Sequence, residues 1–253
     1  MRLFANDARL QATEHNGSSM KLCSIAALVV VLAAVPFRCP AAEEGVAVAI
    51  VYDTSGSMKE SVQDSNGKQS PKYVIANRAL KDIARQIQAF STNNASGSAR
   101  RVDAGVFVFQ GDSTREAIKF GPFDPKPIQQ FANTFSSPSG STPLGNALRM
   151  ASKAVLDSPL SRKHVLVITD GKNTAGPDPA VVLPRLKQQA AQSGGALAVH
   201  FVAFNVDAKE FEAVKQQGAT VVGAADEKQL NTQLEFIMQR KILLEEEEPA
   251  KKK

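Results

Sequence analysis

A chain of 253 residues, 43% hydrophobic and 22% charged, is long enough for one packed domain with short tails. Its net charge of +5 is small, and no basic run is interleaved with aromatic residues, so a nucleic-acid-binding surface is not expected. Both cysteines, Cys23 and Cys39, lie in the first 42 residues, which excludes a disulfide scaffold and a cysteine-ligated zinc site from the rest of the chain.

The N-terminal segment has the parts of a secretory signal. Met20-Lys21 precede an apolar run of about 14 residues, and the small residues Ala41-Ala42 follow it. A bilayer span needs about 20 apolar residues, so this run is short for a transmembrane helix. We therefore predict a leader over residues 1–42, with Met20 as a candidate start, and export to a bacterial periplasm or envelope or to the extracellular space. The alternative is an uncleaved N-terminal membrane anchor.

From residue 46 onward, strand-like and helix-like segments alternate. Residues 46–52 form a continuous run rich in valine and isoleucine, typical of a strand buried on both faces. Residues 55–70 are polar and predicted as a loop. In chain order, the predicted elements are strand 46–52, helix 71–90, strand 102–109, a short strand 115–120 near an edge, helices 127–135 and 143–156, strand 163–169, helix 179–192, strand 196–204, helix 208–216, strand 219–222 and a last helix reaching about residue 244.

This alternation predicts an α/β fold, because strands joined by helical crossovers form a mostly parallel sheet covered on both faces. We assign the domain to residues 43–244 and a charged tail to residues 245–253, with no second domain. Asp178 and Asp226 are the expected N-caps of two helices, the second completed as a capping box by Gln229. In open parallel sheets, ligands bind outside the carboxyl ends of the strands, so a functional site is expected at the residues that follow the strands.

Oxygen-bearing side chains follow two of the predicted buried strands. Asp53, Ser55 and Ser57 come directly after the first strand, and Gly56 is expected to let the backbone turn tightly so that both hydroxyls face one point. Asp170 comes directly after strand 163–169. Oxygen donors of this kind suit hard cations such as Mg²⁺.

A third segment adds another hydroxyl. Thr142 precedes Pro143, where a helix is predicted to begin, and we expect Thr142 to cap that helix while its hydroxyl is offered to a site above the sheet.

These motifs together resemble the von Willebrand factor type A domain. Asp53-x-Ser55-x-Ser57, Thr142 in a Ser-Thr-Pro-Leu loop and Asp170 in a Thr-Asp-Gly turn match its metal-ion-dependent adhesion site, called MIDAS. Each motif alone is weak, but three in the right order, each at a strand end or helix start, form a specific signal. The resemblance implies a Rossmann-like, open, mostly parallel sheet with one short antiparallel edge strand and helices on both faces.

The resemblance also implies roles for the five residues. Ser55 and Ser57 would bind the cation directly, Thr142 directly or through water, and Asp53 and Asp170 mainly through water or hydrogen bonds. The cation would be Mg²⁺, with Mn²⁺ as the alternative, and one coordination position would remain open for an Asp or Glu carboxylate of a partner protein. The expected function is an exported, cation-dependent protein-binding module for adhesion or scaffolding.

Two other functions are weaker alternatives. An intracellular subunit beside an AAA-type ATPase would require that the leader is not a signal. A metal-dependent hydrolase or phosphotransferase would need a nucleophile such as Asp53, but the sequence has no P-loop, no Asp-x-Asp pair after the first strand and no Gly-x-Ser-x-Gly elbow. His164 and His200 have no partner motif and are interpreted as structural. We therefore expect no enzymatic activity.

Overall fold

Strands and helices alternate along residues 42–92 and 100–244, the part of the chain that the computed structural model describes. The strands are β1 (Glu43–Tyr52), β2 (Ser61–Gln63), β3 (Gln69–Pro71), β4 (Val102–Gln110), β5 (Ser113–Pro122), β6 (Leu160–Thr169), β7 (Leu197–Phe204) and β8 (Thr220–Ala224). The α-helices are α1 (Lys72–Thr92), α2 (Pro125–Thr134), α3 (Leu144–Asp157), α4 (Pro179–Gln192), α5 (Glu212–Gln216) and α6 (Glu227–Ile237). Short 3-10 turns cover Gly56–Lys59 and Ala208–Phe211, and a π-helical turn, Met238–Leu243, extends α6.

The main sheet has six strands in the order β5-β4-β1-β6-β7-β8. All neighbouring pairs are parallel except β4 and β5, which are antiparallel, so β5 is the edge strand that the family resemblance implies. This is the predicted Rossmann-like α/β class. The edge strand has ten residues and is longer than the predicted 115–120.

Alternating side chains of β1 build the two layers of the core. Val48 and Ile50 lie in the cluster formed with α1, α2 and α6, whereas Ala47 and Ala49 lie in the cluster formed with α3, α4 and α5. Every residue from 46 to 52 is fully buried, as the uninterrupted apolar run predicts. Within the described residues, no helix is both long enough and apolar enough to cross a lipid bilayer.

The predicted elements are present, with differences at several ends. Asp178 and Asp226 cap α4 and α6 as expected, accepting from the amides of Ala180 and Gln229. The side chain of Gln229 accepts from the amide of Ala225 and not from that of the cap itself, so the capping box is a variant of the predicted one.

The region predicted as a loop over residues 55–70 is more ordered than expected. It contains a 3-10 turn and the antiparallel β2–β3 hairpin, and α1 begins at Lys72 directly after it. The leader prediction (1–42) and the tail prediction (245–253) lie almost entirely outside the described residues, so both stay predictions, as does the 43–244 domain boundary.

Candidate functional site

The carboxyl ends of β1 and β6 lie side by side, and both lead into the candidate site. Tyr52 pairs with Ile168 in the parallel ladder, and the amide of Asp53 donates to the Ile168 carbonyl at 3.1 Å. From β1 the chain crosses to β4 on one side, whereas β6 lies on the other side, so the connections diverge here. This is the position where open α/β sheets form ligand crevices.

Asp53 lies at the bottom of the site and is fully buried. Its Oδ1 accepts from the amide of Ser55 at 2.7 Å, and its Oδ2 accepts from the Thr169 hydroxyl at 2.6 Å. The pKa of Asp53 is raised from 3.8 to about 6, first by burial and then by the nearby charge of Asp170, while the hydrogen bonds from Ser55 and Thr169 oppose the rise. The two hydrogen bonds hold Asp53 in one orientation, one from the loop that follows it and one from the end of β6.

A chain of hydrogen bonds joins the two predicted loops. The Ser57 hydroxyl donates to Asp170 Oδ1 at 2.7 Å, and the Oγ atoms of Ser55 and Ser57 are 3.1 Å apart. Since a hydroxyl carries one proton and Ser57 gives its own to Asp170, Ser55 is the donor in the second bond. Residues 113 positions apart in sequence thus meet at one point above the sheet.

Thr142 reaches the same region but does not cap α3. The residue before α3 is Pro143, and no side-chain bond caps the helix, so the predicted capping role is wrong. The backbone of Thr142 is instead tied to Thr174, whose hydroxyl accepts from the Thr142 amide and whose amide donates to the Thr142 carbonyl. A Cβ placed on Gly171 would lie 3.9 Å from Thr142 Oγ1 and 4.0 Å from Ser57 Oγ, so both hydroxyl oxygens lie near one position.

Backbone contacts, rather than a special glycine conformation, hold the first loop. Gly56 is absent from the glycines with positive φ, and its amide donates to the Gly140 carbonyl at 3.1 Å. The expectation that Gly56 is needed for its conformational freedom is therefore not supported.

Thr54 joins β1 to β4, because its hydroxyl bonds both the amide and the carbonyl of Phe109 at 3.1 Å.

Lys72 is a site residue that the sequence analysis missed. Its side chain is only 3% exposed, and its Nζ donates to Asp170 Oδ2 at 3.0 Å and to Glu60 Oε2 at 2.7 Å. Burial lowers the pKa of the Lys72 ammonium, but hydrogen bonds to Glu60 and Asp170 and the charges of both outweigh burial and raise the pKa above its ordinary value. One feature of the sequence could have pointed to Lys72, namely a lysine in the first turn of a predicted helix, where the helix dipole disfavours a cation.

These residues can offer a hard cation the oxygens of two carboxylates and three hydroxyls. Among the described residues, no group of three or more His, Cys, Asp or Glu side chains is placed to hold a metal ion. A cation at this site would therefore depend on Ser55, Ser57 and Thr142 as much as on Asp53 and Asp170. His164 on β6 and His200 on β7 stack on each other, and neither is among the residues that form the candidate site.

The chain is similar in sequence to one known domain family and to one curated protein. The sequence profile of the von Willebrand factor type A domain matches residues 48–172, a range that includes all five predicted site residues. The uncharacterized protein YwmD of Bacillus subtilis (strain 168) is 30% identical over 195 residues, which cover 75% of this chain and 80% of YwmD.

Three of the solved structures with a similar fold are two pilus proteins and a byssus matrix protein. The PilB minor pilin of Streptococcus sanguinis superposes with a TM-score of 0.58 at 15% identity, covering 78% of this chain and 61% of PilB. The vWF domain of the type V pili tip protein Mfa5 of Porphyromonas gingivalis gives 0.57 at 12% identity, covering 78% and 94%. Mussel byssus PTMP1, solved with a zinc-occupied MIDAS motif, gives 0.56 at 18% identity, covering 78% and 48%.

This chain thus spans about three fifths of PilB and about half of PTMP1. At these identities the superpositions show the fold, whereas the profile match and the resemblance to YwmD carry the family assignment. The chain belongs to the von Willebrand factor type A domain family.

Proposed function

We propose that this domain is a protein-binding module in which one divalent cation captures a carboxylate of a partner protein. Ser55, Ser57 and Thr142 would hold the cation, with Asp53 and Asp170 accepting hydrogen bonds around it. When bound, Mg²⁺ or Mn²⁺ would supply an electrophilic centre for an Asp or Glu side chain of the partner.

The observation that carries the proposal is the hydrogen bond from Ser57 to Asp170. Because Ser57 gives its proton to a carboxylate, its oxygen can act only as an acceptor, and one of its two lone pairs stays available to a cation while the other accepts from Ser55. Ser55 donates in turn to Ser57, so both hydroxyls are already oriented by the protein. Few direct carboxylate ligands would leave a bound cation electron-poor, which favours an incoming carboxylate over a closed coordination shell.

The relatives support a binding role. Two of the similar structures are pilus proteins and the third is a byssus matrix protein with zinc at its MIDAS motif. These descriptions belong to those proteins, and we propose an interaction role for this chain by extension. On the same basis we propose export, which a mature N-terminus near Ala42 or Glu43 would verify.

The environment of Asp53 supports binding over nucleophilic catalysis. Both of its oxygens accept hydrogen bonds, and its side chain is fully buried beneath Ser55. A phosphoryl-accepting carboxylate needs an oxygen that a substrate can approach.

The direct test is calorimetric titration of Mg²⁺ and Mn²⁺ into the purified chain, with Ser57→Ala as the variant. We expect one site in the wild type and at least tenfold weaker binding in Ser57→Ala, since a direct ligand and its bond to Asp170 are lost together. Ser91→Ala is the matched control, because Ser91 bonds only to its own helix, at the Gln88 carbonyl. Absence of cation binding by the wild type would refute the proposal.

A partner is then sought by affinity capture from envelope extracts in Mg²⁺ and in EDTA. Capture that depends on Mg²⁺ and is lost in Ser57→Ala is the expected result. Capture of the same protein at equal yield in EDTA would show that binding does not use the cation.

A further inference from the structure

Lys72 places a permanent positive charge directly behind the candidate cation site. Its ammonium is buried and contacts Asp170 Oδ2, whereas the other oxygen of Asp170, Oδ1, accepts from Ser57. Asp170 is thus shared between the site and a lysine that lies on the first turn of α1.

The position of Lys72 is unfavourable unless an anion compensates it. A cation at a helix N-terminus is opposed by the helix dipole, and a buried ammonium loses its hydration. Two carboxylates offset these costs: Asp170, whose side chain is fully buried, and Glu60, whose side chain is 67% exposed. Glu60 is also joined to Lys72 through the backbone, because its carbonyl accepts from the Lys72 amide at 2.8 Å.

The charge balance of the site changes when Lys72 is included. Asp53 and Asp170 bring two buried negative charges, and Lys72 cancels one of them, while the exposed charge of Glu60 is screened by water. A divalent cation held by this set would keep a net positive charge of about one, whereas the two carboxylates alone would neutralise it.

We infer that Lys72 is a specificity-determining residue of this site, whose buried charge weakens the hold on the cation and strengthens the capture of a carboxylate by that cation. The inference rests on the proposed function, because it needs a cation at the site. A lysine without influence on the site would stabilise the fold, and its removal would leave the affinity for the cation unchanged.

The test uses the full chain with Lys72→Met and Lys72→Gln, titrated with Mn²⁺ at pH 8. Removing a unit charge a few ångströms from the cation, inside the protein, is expected to tighten Mn²⁺ binding by at least about tenfold. In EDTA the same variants should melt about 5 °C or more below the wild type, because Asp170 loses the partner of a buried ion pair. The second probe is acetate, whose methyl-proton relaxation reports contact with bound Mn²⁺. Acetate should bind several-fold more weakly to the Mn²⁺-saturated variants.

Glu60→Gln is the matched control. It removes the exposed partner of Lys72 and leaves the buried pair with Asp170, so Mn²⁺ affinity should change by less than about threefold.

Each result decides between the inference and the proposed function. If the wild type binds no Mn²⁺, the proposed function fails and the inference fails with it. If the wild type binds Mn²⁺ but both neutral variants bind it equally or more weakly, the inference alone is overturned. Should the variants be unfolded in EDTA, refolding on addition of 10-fold excess Mn²⁺ over the wild-type dissociation constant supports the inference, because the cation then replaces the missing charge. Variants that stay unfolded under those conditions refute it.

Discussion

Replacing Asp53 by Asn should stabilise the cation-free domain at neutral and alkaline pH. The pKa of Asp53 is raised from 3.8 to about 6, chiefly by burial and then by the charge of Asp170. A pKa difference of one corresponds to about 1.4 kcal/mol, so ionised Asp53 costs the folded state about 3 kcal/mol. An amide keeps the hydrogen-bonding pattern, since its oxygen can accept from Ser55 and its NH₂ can donate to Thr169, whose hydroxyl already reaches the Gly171 carbonyl.

The sign of the pH dependence follows from the direction of the shift. The folded state holds the Asp53 proton more tightly than the unfolded state does, so the contribution of this group is greatest below pH 3.8 and is lost as the pH rises through about 6. The amide of Asn forms weaker hydrogen bonds than the carboxylate, which offsets about 1 kcal/mol of the stability gained by removing the buried charge. Asp53→Asn should therefore exceed the wild type in unfolding free energy by about 1–2 kcal/mol at pH 8 and lose that advantage by pH 4.5.

The measurement is urea denaturation of both proteins in EDTA at pH 4.5, 6 and 8, followed by circular dichroism. Asp178→Asn is the control, because Asp178 is an exposed N-cap for which Asn is an equally good residue, and we expect a change below about 0.5 kcal/mol. Two results would show that burial of the charge is not what raises this pKa. One is an Asp53→Asn protein that is less stable than the wild type at pH 8, and the other is a difference in unfolding free energy that does not vary with pH.

Three further predictions concern the loops and the cation. Gly171→Ala should have a free energy of unfolding within about 1 kcal/mol of the wild type, because the added methyl makes only ordinary contacts at 3.9–4.0 Å. It should nevertheless bind Mn²⁺ at least about tenfold more weakly, because the methyl lies close to the hydroxyls of both Thr142 and Ser57. Unchanged Mn²⁺ titrations would contradict this. Gly145→Ala should lose at least about 2 kcal/mol in urea denaturation, because its Cβ would lie 2.0 Å from the Pro177 carbonyl oxygen, and Gly121→Ala, which meets nothing within 4 Å, is the control. Mg²⁺ at 100 times its dissociation constant should raise the unfolding free energy by about 2.7 kcal/mol, and a melting temperature equal to that in EDTA would rule this out.

Much of the architecture was predictable because it depends on local patterns of hydrophobic residues. The run of valine, isoleucine and alanine in β1 marks a strand buried on both faces, and the alternation of such runs with amphipathic helices determines a parallel sheet. Parallel order brings the ends of β1 and β6 to one edge, so the residues that follow them were expected to meet. The hydrogen bond between Ser57 and Asp170 is the consequence.

The β2–β3 hairpin could not be predicted from local sequence patterns. Its residues are polar and lack a clear period, and its position depends on contacts from distant segments, such as the bond between the Ser65 amide and Glu227 on α6. The supposed cap at Thr142 was wrong for a related reason, since Thr174 from another loop takes the backbone groups of that residue.

The sequence by itself determined which strands are buried, their order of connection and which oxygen-bearing residues follow them, because hydrophobic period and position in the chain are local properties. Only the tertiary structure decided the charge environment of the site. A lysine in a polar stretch is ordinarily solvated, and nothing local requires Lys72 to be buried against Asp170. That contact exists because the first turn of α1 lies against the residue that follows β6, and the neighbouring residues give no hint of it beyond the place of Lys72 at the start of a helix.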